Sequence, residues 1–187
     1  MSLSREQVLE HALSVLDQYG FADLSMRRLA ASLGVQPGAL YWHFENKQTL
    51  LVAVAEAILA PRPRVEPDLP WEPQVRRWAA SLRRALLARR DGAEVVASAL
   101  AVRPCGLDPA AEVARLLAAH GMPPETASAS GLALLHFVMG HTVDEQGNAA
   151  MVEFGVVPEV DTQAQTRFGV GLDLMVAGLA ARLEGAP

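Results

Sequence analysis

The stretch that decides the fold is SMRRLAASLGVQPGALYWHF, Ser25–Phe44. Ser25 can cap a short helix over Met26–Leu33, and Gly34 stops it. A second short helix follows around Pro37–His43, with Pro37 in its first turn. Two short helices joined this way must pack closely at a steep angle. That requires a small residue on the first (Ala30), a glycine free to take positive φ at the corner (Gly34) and an apolar anchor on the second (Leu40). Leu29, Leu33 and Val35 complete the inner face. This is the spacing of a helix-turn-helix. If the second helix enters a major groove, its outward residues Gln36, Gly38, Ala39, Tyr41, Trp42 and His43 meet DNA. Arg27 and Lys47 would then hold phosphates. Gln36 can pair with adenine, the Ala39 methyl can touch a thymine methyl, and Gly38 allows close backbone approach.

On either side of this unit the sequence is helical. Ser4 with Gln7 forms a capping box, and Val8, Leu9, Ala12, Leu13, Leu16 and Tyr19 recur at helical spacing, so a helix is expected over Arg5–Tyr19. Asn46 opens a long apolar helix to about Ala60. Five prolines then fall within residues 61–73, which reads as a stiff connection. Further helices are expected over Gln74–Arg90, Glu94–Val102, Pro109–His120, Pro124 to about Gln146, and Thr162–Leu183, with Val156–Asp161 a loop. The fold class is all-α. Residues 1–60 form the module that carries the helix-turn-helix, 61–73 a proline-rich linker, and 74–187 a second helical module.

Composition sets limits on partners. The 187 residues include 51% hydrophobic and 20% charged side chains, enough apolar material for a core. Net charge is −5, which argues against nonspecific nucleic-acid binding, so any DNA role rests on a local patch. That patch is thin: within residues 25–47 only Arg27, Arg28 and Lys47 stand against Glu45. Affinity should therefore depend on pairing of subunits and on base contacts, with a shallow salt dependence. The single cysteine, Cys105, reads as structural. MSLSREQ lacks an apolar signal core, which makes the cytosol the expected compartment. The longest run free of Asp, Glu, Lys and Arg, Thr126–Val143, carries two His, two Ser and two Thr, and reads as a buried helix rather than a membrane span.

LYWHFENK at 40–47 with LAASLGV at 29–35 resembles the TetR family of bacterial repressors. RRALLARRDGAEV (83–95), the Arg103–Pro104 pair, LLAAHG (116–121) and HFVMGHTVDEQ (136–146) resemble its tetracycline repressor branch, so the likeness covers most of the chain. The resemblance implies a homodimer that binds a palindromic operator and holds a small-molecule inducer in its helical core. Dimerisation is expected along two apolar seams, Leu132, Leu135, Met139 and Val143 on one helix and Phe168, Leu172, Met175 and Leu179 on another. Gly169, Gly171 and Gly178 would permit close helix approach.

That branch holds its drug with Mg²⁺ through a histidine on the helix before the Arg–Pro pair. Here the matching position is Val96 counting forward from Asp91–Gly92, or Ala99 counting back from Arg103–Pro104, and neither ligates metal. Val102 replaces the threonine before the Arg–Pro pair. Polar drug contacts fall on Pro63, Trp78 and Val113, and the pocket phenylalanine on Leu82. His136 is retained, and Asp144 stands for the glutamate on the metal side. Magnesium favours oxygen ligands and waters arranged by one or two carboxylates. The replacements instead favour a more apolar organic inducer, bounded by Trp78, Leu82, Val113 and Leu117, with Arg103 and Asp144 nearby and His136 as the chief polar anchor. No cofactor is expected. Trp78 fits a core position as well as a pocket.

His141, Asp144 and Glu145 lie at i, i+3 and i+4. Without an HExxH motif or a third donor nearby, they read as a surface ion network rather than a metal site. The Arg103–Pro104 junction is the candidate moving element. The rival reading is an all-helical enzyme using His136 or His141 as base or metal ligand. No Gly-rich phosphate loop, nucleophile elbow or paired His/Cys spacing supports it.

Overall fold

The computed structural model describes residues 3–60, 69–102 and 107–184, and across these the regular structure is helical throughout. The helices are α1 (Arg5–Tyr19), α2 (Met26–Leu33), α3 (Pro37–Tyr41), α4 (Lys47–Leu59), α5 (Trp71–Leu87), α6 (Gly92–Ala101), α7 (Pro109–Ala119), α8 (Pro124–Glu153) and α9 (Ala164–Glu184). Local capping fixes the first of them. The Ser4 hydroxyl accepts from Gln7 N–H at 3.1 Å while the Gln7 side chain accepts from Ser4 N–H at 2.8 Å. Ser25 caps α2 with its hydroxyl alone, accepting from Arg28 N–H, and Asn46 with Thr49 makes a second reciprocal pair at the start of α4.

Several boundaries differ from the periodicity by two residues or more, as where α5 ends at Leu87 rather than Arg90. α5 starts at Trp71, three residues earlier than expected, because Pro73 sits in its first turn, where a missing N–H costs nothing. The expected proline-rich connection thus gives up its last residues to helix, and residues 61–68, Pro63 among them, lie outside the described residues. α8 runs seven residues beyond Gln146, through Gly147; one glycine inside a long helix costs only about 1 kcal/mol. α3 ends at Tyr41 rather than His43.

Packing groups the helices in two units that do not follow chain order. One contains α1–α4, α6 and the last turn of α5; the other contains the rest of α5 with α7, α8 and α9. In the first, Val8, Leu16, Leu29, Leu40, Phe44, Leu50 and Val54 form a buried core, and α4 lies closely along α6. In the second, α7 lies along α8. Gly131 is required there: a Cβ would stand 2.5 Å from the Ala110 carbonyl oxygen. Of the glycines expected to admit a close neighbour, Gly171 faces the Phe137 ring, whereas Gly169 and Gly178 face open space.

Candidate functional site

The corner between α2 and α3 is built around Gly34, whose φ of 66° and ψ of 28° lie in the left-handed region that glycine adopts without strain. Val35 N–H returns to the Ala30 carbonyl at 3.0 Å, and Ala39 N–H to that of Gln36 at 2.9 Å. Leu29, Ala30 and Leu40 are buried, with Leu33 and Val35 half-buried beside them. The opposite face is open. Gln36 and Gly38 are exposed, Ala39 and His43 are half-buried, Tyr41 is 52% exposed and Trp42 90%. Tyr41 and Trp42 thus place two neighbouring aromatic rings in solvent on this face of the corner.

Arg27 is exposed on α2 and has no side-chain partner among the described residues. Arg28, by contrast, is tied to Asp23 at 2.6 Å and lies over the Tyr19 ring. Lys47 is the first residue of α4, with its Nζ 5.4 Å from the centre of the Phe21 ring. The N-terminal N–H groups of α4 add to its charge, so the place suits a phosphate.

A contact distant in sequence holds the corner after α1. Phe21 N–H donates to Asp91 Oδ2 at 2.8 Å, and Arg89 pairs with Asp17. Asp91 has a φ of 52°, the one non-glycine positive value among the described residues. Asp91→Ala removes a charged acceptor and leaves an alanine in the left-handed region. It should lower unfolding free energy by about 2–4 kcal/mol, read from the urea midpoint, whereas Asp91→Asn should cost far less. The Arg103–Pro104 junction lies outside the described residues.

The residues expected around an inducer divide into two sets. Trp78 and Leu82 on α5 and Val113 and Leu117 on α7 are all buried. His136 and Asp144 on α8 are exposed, so within one chain His136 is not the polar anchor of a buried site. Its position in the helix sets it between the inward rows Leu134–Leu135 and Val138–Met139. Arg103 lies outside the described residues. Val96 and Ala99, the candidates for the metal-binding position, are buried on α6. The described residues contain no group of three or more His, Cys, Asp or Glu placed to hold a metal ion.

Residues 8–54 match the family of bacterial regulatory proteins named for TetR, and residues 63–165 match the tetracyclin repressor-like C-terminal domain. This chain belongs to the TetR family. Among its relatives, the class C tetracycline repressor protein of Escherichia coli is 38% identical over 169 residues, spanning 88% of this chain and 76% of the relative. The crystal structure of Mycobacterium smegmatis BioQ superposes with a TM-score of 0.86 at 39% identity, covering 96% of this chain and 99% of BioQ. BioQ solved with its double-stranded DNA operator gives 0.81 at 38% identity, with 96% and 99% covered.

The TetR-family core of this chain corrects the expected seams. Leu135, Met139, Phe168, Leu172 and Leu179 are buried in the chain's own interior. Val143 and Met175 are half-buried, and only Leu132 is exposed. The outward apolar residues of α9 are Val170 and Leu174, the latter 71% exposed. Both faces of α9 are apolar, so periodicity alone could not tell the inward stripe from the outward one.

The expected surface ion network is also different. Glu145 takes two hydrogen bonds from Arg83, at 2.8 and 2.7 Å, with the side chains only 12% and 15% exposed. His141 Nδ1 lies 3.5 Å from the same carboxylate, while Asp144 points outward. The sequence shows Arg83 within an arginine-rich stretch but carries no local sign that Glu145, 62 residues on, is its partner.

Among the described residues no helix is long and apolar enough to cross a membrane.

Proposed function

We propose that this TetR-family regulator is a homodimeric transcriptional repressor that binds a palindromic operator and is released by a small, mainly apolar organic inducer other than magnesium-tetracycline. The observation that carries the DNA half is the outward face of α3: Tyr41 and Trp42 stand in solvent directly beside the fully buried Leu40. BioQ, similar over nearly the whole chain, is known in complex with its operator. In a dimer, two such helices address half-sites about 34–36 Å apart. The outward residues Leu132, Gly140 and Gly147 of α8 and Val170 and Leu174 of α9 supply the partner face. Buried aliphatic residues at Val96 and Ala99 support an inducer held without metal. Linkage requires that operator DNA weaken inducer binding by the same factor by which the inducer weakens DNA binding.

Gel retardation with DNA flanking the chain's own gene tests the reading. Tyr41→Ala should cost about 10- to 100-fold in affinity for the specific fragment, a typical value for losing a base contact. Lys47→Ala should weaken all fragments alike and flatten the dependence of log K on log salt by about one. No retardation of any flanking fragment at low salt would overturn the proposal.

A further inference from the structure

Arg5 is the first residue of α1 and is exposed. Its guanidinium carbon stands 4.6 Å from the centre of the Phe44 ring. Phe44 is only 2% exposed, and its N–H returns to the Leu40 carbonyl at 2.9 Å, so it belongs to the same corner as α3. Folding thus delivers Arg5 to the end of the recognition segment, two residues from the open Trp42 ring. Nothing local in the sequence joins residue 5 to that corner.

Two features set this arginine apart from an ordinary surface charge. A cation in the first turn of a helix opposes the macrodipole, where a carboxylate would suit. Arg5 also has no ion pair among the described residues, although Glu6 adjoins it in sequence and Glu45 adjoins Phe44. Other arginines of the same packed unit are paired, Arg28 with Asp23 and Arg89 with Asp17. The aromatic face beneath the guanidinium carbon holds it in place but consumes none of its five N–H donors. Lys47 repeats the pattern: it is the first residue of α4, lies over the Phe21 ring and has no ion pair. A planar fork with free donors matches the oxygens of a phosphate. We infer that Arg5 grips a backbone phosphate of operator DNA, as a third cation beside Arg27 and Lys47. The inference rests on the DNA-binding reading above and adds to it a contact from α1.

Arg5→Met tests this on the full-length protein, because it keeps an unbranched side chain against Phe44 and removes the charge. The probes are the shortest flanking duplex that the wild type retains and an unrelated duplex of equal length. Arg5→Met should bind both about 10-fold more weakly at low salt and flatten the dependence of log K on log salt as much as Lys47→Ala does. Its preference among base-substituted operators should stay as in the wild type. Its thermal midpoint should stay within about 2 °C. Arg5→Lys keeps the charge and should keep the slope. A methylphosphonate moved along one strand of the operator neutralises one phosphate at a time. At one position it should weaken the wild type and leave Arg5→Met unaffected. A wild-type slope in Arg5→Met overturns the inference, as does an equal loss of slope in Arg5→Lys. So does a fall in affinity that merely follows a lower thermal midpoint, or the absence of any phosphate coupled to Arg5. If the wild type retains no duplex, the DNA-binding reading itself sinks; if it does and any of those results is found, the Arg5 contact alone sinks.

Discussion

Leu174→Arg should give a folded monomer that no longer retains operator DNA. Leu174 is exposed on α9 one turn beyond Val170, which is exposed as well. In a single chain the substitution places an arginine in water and should leave the melting of the isolated subunit nearly unchanged. Across a two-fold interface each arginine would be driven into the packed partner face, and would meet its twin where the axis passes nearby. Operator affinity should fall by about 10²- to 10⁴-fold, because two linked half-site contacts become two separate weak ones. Light scattering after gel filtration and gel retardation read the two effects. Leu172→Arg is the contrasting variant. Leu172 lies two residues away but is buried in the chain's own core, so its replacement should unfold the subunit. If Leu174→Arg remained dimeric while binding DNA normally, the outward faces of α8 and α9 would not be the partner surface.

The contrast between Leu172 and Leu174 also marks how far the sequence could be read. Ser4, Ser25, Gly34 and Asn46 act within one turn of themselves, and the helices they bound, including the whole helix-turn-helix, were legible to within a residue or two. The outward set Gln36, Tyr41 and Trp42 followed from the same local geometry once Leu40 was assigned inward. On α8 and α9 the signal failed because apolar residues occupy both sides. Periodicity detects a stripe only against a polar background. The placement of His136 came from likeness to a branch whose pocket chemistry this chain has otherwise lost. Its exposure depends on how α8 is rotated against α7, which Gly131 and Ala110 set together. The Phe21–Asp91 and Arg83–Glu145 contacts join residues 70 and 62 positions apart. Neither partner's neighbours in sequence hint at the other.

Glu145→Ala should be among the most destabilising single changes outside the apolar core, at about 3–5 kcal/mol in urea unfolding at fixed protomer concentration. The carboxylate receives Arg83 Nε and Nη2 as a fork, and Arg83 Nη1 continues to Gln165 Oε1 at 2.6 Å. The guanidinium carbon lies 5.0 Å from the centre of the Phe168 ring. That ring stacks on Phe137, and His141 meets both edge-on. Removing the carboxylate strands a cation that is mostly out of water and cannot be deprotonated. Truncating either partner should therefore cost more than the pair contributes net, since the larger part of the loss is the uncompensated charge. Arg83→Met combined with Glu145→Leu should recover most of the stability lost by either truncation. Arg83→Lys should not, because an ammonium group cannot reproduce the fork to Glu145 while also reaching Gln165. The cycle distinguishes an interior pair from the exposed kind. A surface pair would lose less than about 1 kcal/mol on truncation, and the apolar double replacement would restore nothing because nothing had been stranded. The fork also spans α5, α8 and α9 at one point. Its loss should release the register of α5 against α8 before it unfolds either helix, with faster amide exchange around Arg83 and Glu145 than around Leu134 and Val138 as the sign.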